Sequence, residues 1–592
     1  MVETKSIPES EKWKKEHIFS SEEAWKKSYE EVSARIDDIK RYQGNITNAK
    51  ELLTYLTKGE EISQKYSKLY VYAMLSHDED TRVADSQARL SKVQQLGVKL
   101  SSATSFFTPF LLSLDEQTLS TYIKQEEGLQ YFEEDLFDTY RYKEHVLSAE
   151  QEALLSEMGE ALQAPRNTYG MINNADITFG YITNDQGEKE RLTRGKYALL
   201  SKSSDREKRK EAYEAYYEPY IGLHNTIGST LSAAVKNNVK LTKLRNYPSA
   251  LEKALFGDKV PKEVYETLIQ AAHEGKEALH AYTKERKKIL NVNELRPYDL
   301  GVPLVEGVKY DISYDEAYEM MLKALSPLGE DYVSQLKEMK VAGVIDVHET
   351  PGKRSGAYNI GVYGVHPYVL LNHRNDLDSL FTLTHEMGHA MHSYYSNKHQ
   401  PHITAGYSIF VAEVASTVNE VLLMHHLIDH EKDDKKRRYL LHHFIDQFKG
   451  TFFTQVMFAE FEKIVHEKAE KEEPLNASAF NEVYEELFGS YHGESLELGD
   501  EVKYGWSRIP HFYRPFYVYK YATGYASAIH IADRLLKGDE ETKNNYLEFL
   551  KSGSSDYPLN LLKRTGVDLE EGEPIRNALN VFSGLVKEFS KE

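Results

Sequence analysis

Apolar residues recur at three- and four-residue intervals along most of the chain, the spacing of one helical face, and alternate like strands in only two places. Ser21-Glu22-Glu23-Ala24-Trp25 has the form of a capped helix start, and amphipathic helices are predicted from there to about residue 165. The run Ile177–Thr183 followed by Asn184-Asp-Gln-Gly187 predicts a strand and a tight turn. Helical spacing resumes near Arg194. A second β-like patch covers 340–373, where Ala357–Tyr363 and Val365–Asn372 are rich in β-branched and aromatic residues around Gly364. Pro367 has no N–H for a ladder, which predicts an edge strand. Without a fixed repeat or a low-complexity linker, the soft boundary falls near 200, giving a helical lobe over 1–200 and a second region over 201–592. The fold class is mainly α, in two large lobes or one very large helical body.

The patch ends just before Asp376-Leu-Asp-Ser-Leu-Phe-Thr-Leu-Thr-His385-Glu386-Met387-Gly388-His389. Asp376 or Asp378 can cap a helix here, with Leu380, Leu383, Met387, Ala390 and Tyr394 forming its apolar stripe. His385 and His389 stand one turn apart on one face. That separation lets two imidazole nitrogens share a zinc ion at about 2.0–2.1 Å. Glu386 beside them can reach an activated water without ligating the metal. A chain with 23 histidines can contain such a match by chance, and placement on an apolar-striped helix sharpens it. His392 shares the face, but its backbone lies about 10.5 Å from His385 at about 1.5 Å per residue, so it is read as a neighbour. The segment Ser408–Met424 is apolar nearly all round and predicts a buried helix, in which Glu413 and Glu420 need partners. One of them can complete the metal site while the other orients a ligand imidazole.

Composition narrows the chemistry further. There are no cysteines, so thiolate metal sites and disulfides are excluded, and any transition metal must sit on His, Asp and Glu. A formal charge of −20 makes sequence-independent nucleic-acid binding a poor fit. No stretch approaches the roughly 18–20 apolar residues of a membrane span, and the first residues lack the pattern of a signal peptide. Cytoplasmic residence is therefore the expectation. Between Trp506 and Tyr525, His511 is followed by Tyr513, Tyr517, Tyr519, Tyr521 and Tyr525. Tyr513, Tyr517, Tyr521 and Tyr525 fall at i, i+4, i+8 and i+12, which predicts one slowly drifting helical face. A neutral imidazole or phenol there can donate to the oxyanion of a tetrahedral intermediate.

The runs Leu383-Thr-His-Glu-Met-Gly-His-Ala-Met-His-Ser393 and Tyr407-Ser-Ile-Phe-Val-Ala-Glu-Val-Ala-Ser-Thr417 resemble the oligoendopeptidase F branch of the thimet-oligopeptidase-like zinc metallopeptidases. The likeness extends to Glu11–Phe19, Phe179-Gly-Tyr-Ile and Ile509-Pro-His-Phe-Tyr513. It implies a two-lobed helical ellipsoid with a deep substrate channel, and a small β patch beside the zinc helix. It further implies one Zn²⁺ per chain on His385, His389 and Glu413, with Glu386 as general base and short peptides as substrates, cut internally. His511 is the first choice for the oxyanion donor, then Tyr517 and Tyr521, with Tyr519 as an alternative. The tyrosine spacing matches the thimet-like pattern only after a one-residue shift. A metallocarboxypeptidase or dipeptidyl carboxypeptidase, and a catalytically silent peptide-binding protein, are the alternative readings.

Overall fold

The computed structural model describes residues 7–591. Helices dominate and strands form two small sheets, in agreement with the periodicity. The chain forms two compact units from interleaved segments: Met1–Glu144, Lys309–His426 and Ile531–Gly566 in one, and His145–Val308, Leu427–His530 and Val567–Glu592 in the other. No helix among the described residues is long and apolar enough to cross a membrane.

The second unit holds an antiparallel hairpin, β1 (Tyr181–Thr183) with β2 (Lys189–Arg191). It is shorter than the Ile177–Thr183 strand expected from the sequence. Residues Ile172–Asp176 form a π-turn, and the Gly180 N–H donates to the Ala215 carbonyl at 2.9 Å, so the register with β2 covers only Tyr181 to Thr183. An aromatic cluster of Phe448, Phe452, Phe453, Tyr525 and Phe582 fills part of this unit's core. Buried Asp299 receives both Arg206 and Arg209, so its charge is compensated where desolvation would otherwise be costly.

In the first unit, Ser21 and Asn48 cap the helices Glu22–Lys40 and Ala49–Asp78 by accepting the N–H groups of Ala24 and Glu51. Their apolar stripes meet in a core that includes Trp25, Val32, Ile39, Leu52, Leu69 and Val93. A second cluster, Trp13, Val71, Leu75, Val362, Tyr368 and Leu370, joins the Ala49–Asp78 helix to the three-stranded sheet. That sheet contains β3 (Ile345–His348), β4 (Tyr358–Ile360) and β5 (Tyr368–His373) in the order β3-β5-β4. β3 runs parallel to β5, and β4 pairs antiparallel with it in the register Asn359↔Val369. β3 and β4 are therefore the two edge strands. β5, which follows Pro367, is central: the proline precedes the first paired residue, so its missing N–H leaves no gap in the ladder.

The next helix, Leu377–His399, carries the histidine motif. Asp376 is its N-cap and accepts the Ser379 N–H at 2.8 Å. Leu380, Leu383, Met387 and Ala390 are buried as the stripe predicted, and Tyr394 is half-buried. After a short connection the chain returns as helix Ile409–His430, which is buried nearly all round. Where the two helices meet, Gly388 faces Ser416. A Cβ on residue 388 would lie 2.6 Å from the Ser416 Cα and 2.8 Å from the Ala415 carbonyl oxygen. Only a residue without a side chain fits between these backbones.

Candidate metal centre

This close approach brings the predicted ligands together. The Nε2 atoms of His385 and His389 are 3.1 Å apart. Glu413 Oε2, from the returning helix, lies 3.5 Å from the first and 3.7 Å from the second. Four ligands about 2.0–2.1 Å from a tetrahedral zinc ion stand about 3.3 Å from one another, so the three atoms match three corners of that figure. Among the described residues this is the one group of three His, Asp or Glu ligand atoms converging within 4.8 Å. The donor set, two nitrogens and one oxygen with no sulfur, suits a borderline cation and leaves a fourth corner open.

The surroundings orient the set. Glu420, two turns beyond Glu413, bonds to Nδ1 of His385, so the opposite nitrogen points at Glu413. Burial works to lower the pKa of His385, but its hydrogen bond to Glu420 and that residue's charge outweigh burial and hold the ring up at about 9. Burial, reinforced by the neighbouring His385, takes His389 down to about 3 and keeps its ring neutral. Glu386 is 7% exposed, and its Oε2 has no hydrogen-bond partner. Burial raises this carboxyl to about 7; His385 opposes the shift and Glu413 and Glu420 add to it. His392 is outside the convergent group, with its ring stacked on Tyr407 at 3.7 Å. Sequence reasoning missed Tyr407 and Asn359. The Tyr407 hydroxyl meets Ser393 Oγ at 2.8 Å, and Ser393 donates to Asn359 of edge strand β4 at 3.1 Å. This chain of contacts ties the sheet edge to the motif helix.

His511, Tyr517 and Tyr521 belong to the second unit, where they form their own group. The His511 ring lies 6.4 Å from Tyr517 and 6.3 Å from Tyr521, and the two tyrosines are 5.5 Å apart. His511 is exposed; partial burial, helped by Arg514, lowers its pKa. The single helical face expected for Tyr513 to Tyr525 is not formed. Pro510–Tyr513 is a 3₁₀ turn, Phe516 takes a left-handed φ of 56°, and the helix begins at Tyr519. The Phe516 N–H is held by buried Glu462 at 3.0 Å, which fixes this break in the periodicity. Tyr513 instead stacks on Tyr169 and bonds to Thr230, while Tyr519 is fully buried against Tyr265.

A metal-assisted hydrolase of the His-Glu-x-x-His kind is the class that the first unit's centre defines. Comparison with known proteins narrows it. The profile of "Peptidase family M3" matches residues 199–581, and that of "Oligopeptidase F" matches residues 111–179. The chain is 41% identical to oligopeptidase PepF of Bacillus subtilis (strain 168), over 98% of this chain and 87% of that protein. It is 38% identical to the group B oligopeptidase PepB of Streptococcus agalactiae, over 97% of this chain and 96% of that one. Among solved structures, oligoendopeptidase-F from Enterococcus faecium superposes with a TM-score of 0.74 at 34% identity, covering 96% and 98% of the two chains. A crystal structure from Chlamydophila abortus reaches 0.94 at 32% identity, covering 100% and 99%. The chain belongs to peptidase family M3, in its oligoendopeptidase F group, and is a metalloendopeptidase.

Proposed function

We propose that this enzyme hydrolyses internal bonds of short peptides at a single zinc ion held by His385, His389 and Glu413, with Glu386 as general base. The observation that carries the reading is the convergence of those three ligand atoms beside a buried carboxyl with one oxygen unpaired. Zinc bound there supplies Lewis acidity, polarising a peptide carbonyl and making water a nucleophile near neutral pH. Glu386 accepts the proton of the attacking water and passes it to the leaving amine. Glu420 keeps His385 turned toward the ion. The free edge of β4 offers main-chain groups to an extended peptide. By the chemistry of their side chains, His511, Tyr517 and Tyr521 are the candidate donors to an oxyanion.

The test combines metal analysis with a quenched fluorogenic peptide whose C-terminus is amidated. One equivalent of zinc, cleavage within the peptide, loss of turnover with a chelator and its return with added zinc are expected. Cleavage undiminished in a verified metal-free enzyme would sink the reading, and failure on the amidated peptide would favour a carboxypeptidase. For the oxyanion group, His511→Ala is expected to lower kcat by about 10²-fold with zinc content intact, the scale of one lost oxyanion donor. Unchanged kcat would remove His511 from the mechanism.

A further inference from the structure

His511 lies in the 3₁₀ turn Pro510–Tyr513 and Tyr521 in the helix that starts at Tyr519, with Tyr517 between them. The first arm closes where the Arg514 N–H donates to the His511 carbonyl at 2.8 Å. The second begins where the Lys520 N–H reaches the Tyr517 carbonyl at 3.3 Å. Phe516 stands between these closures, so its torsions set the direction in which the second arm leaves the first. Its φ of 56° is one that a bulky residue rarely adopts. Returning φ to a common value of about −65° would rotate everything after Phe516 by about 120° relative to His511.

One helix, Thr454–Glu470, holds both sides of this bend. Phe458 and Phe461 pack on Phe512, with ring centroids 5.5 and 4.6 Å away, and fix the first arm. The next residue, Glu462, accepts the Phe516 N–H on Oε1 at 3.0 Å. One turn later, buried His466 meets the Phe516 ring at 4.6 Å. Ring packing places the phenyl group, but only the carboxyl fixes where the N–H points. Glu462 is 1% exposed and its Oε2 has no partner, an arrangement costlier than an apolar side chain of the same size. Burial holds this carboxyl well above the usual carboxylate range, against the pull of the Phe516 N–H. It is therefore a neutral acid whose carbonyl oxygen does the accepting.

We propose that Glu462 is a positioning residue for turnover: by accepting the Phe516 N–H it fixes the bend that sets Tyr517 and Tyr521 against His511. The proposal rests on the reading above, in which those three side chains are the candidate oxyanion donors. Glu462 itself touches neither substrate nor metal and acts only through the bend. The spacing it protects is close, with ring centroids 5.5 Å apart for the two tyrosines and 6.3 and 6.4 Å from His511 to each. Misplacing a catalytic group by about 1 Å can cost about 10²-fold in rate, so a fixed bend has a kinetic return.

Two substitutions are compared in the full-length enzyme on a quenched peptide. Glu462→Gln keeps a carbonyl oxygen for the Phe516 N–H and is expected to hold kcat within about 2-fold of wild type. Glu462→Met has similar size and no such acceptor; it is expected to lower kcat by about 10-fold or more, with KM and zinc content little changed. The same pair is then made in a Tyr517→Phe/Tyr521→Phe background. With no tyrosine hydroxyl left to misplace, Glu462→Met is expected to cost no more than about 2-fold there. Losses that multiply across the two backgrounds would make Glu462 a support of the fold alone and overturn the proposal. So would a Glu462→Gln enzyme that falls as far as Glu462→Met. If Glu462→Met does not fold, Phe516→Gly releases the same torsion, and an unchanged kcat in that variant overturns the proposal equally. If Tyr517→Phe/Tyr521→Phe turns over like wild type, the tyrosines leave the oxyanion reading first and this proposal goes with them.

Discussion

Glu386→Gln is expected to retain a full equivalent of zinc and to lose about 10²–10⁴-fold in kcat, the contribution typical of a positioned general base. The amide has nearly the volume of the acid, so the packing around a residue that is 7% exposed is preserved. The amide cannot take up a proton near neutral pH, whereas the carboxylate can. The ligand atoms of His385, His389 and Glu413 are untouched by the change. Metal content by plasma emission spectrometry and initial rates on the quenched peptide decide the matter together. Turnover within 10-fold of wild type at equal zinc content would exclude Glu386 as the base.

Glu413→Ala is expected to act by a different route, through the metal. It removes the one oxygen of the convergent set and leaves two imidazoles from a single helix. Loss of an outer partner of a metal site typically costs 10–100-fold in affinity, and loss of a direct ligand is expected to exceed about 100-fold. The purified variant should then contain well under one equivalent of zinc and show no measurable turnover at trace zinc. A zinc titration followed by activity measures the shift. A variant that binds zinc as tightly as wild type would show that another residue closes the site.

Much of this centre was legible in the sequence because its parts obey local rules. Asp376 followed by apolar residues at helical spacing predicts a capped helix, and the four-residue separation of His385 and His389 then fixes their common face. Glu413 and Glu420 stood out because carboxylates on a helix that is apolar all round must find partners. Both partners are there, the imidazole pair for Glu413 and the far side of His385 for Glu420. The features that were missed depend on tertiary pairing. Whether Pro367 marks an edge depends on which strand lies beside β5, and a sequence does not carry that order. The tyrosines after His511 keep a four-residue rhythm that the backbone ignores, because Phe516 turns left-handed against Glu462, a residue 54 positions away. The interleaving of the two units is equally invisible to periodicity, which identifies helices without saying which of them pack together.

The contact at Gly388 has a consequence for which ions the enzyme can use. Because main chain meets main chain there, the gap between the helices is set by atoms that have no rotamers to adjust. Calcium calls for six to eight oxygens at about 2.3–2.6 Å, a larger and looser cage than two imidazoles and one carboxylate can open into. In the proposed site, a position with no side chain at all thus holds the ligands too close together for calcium.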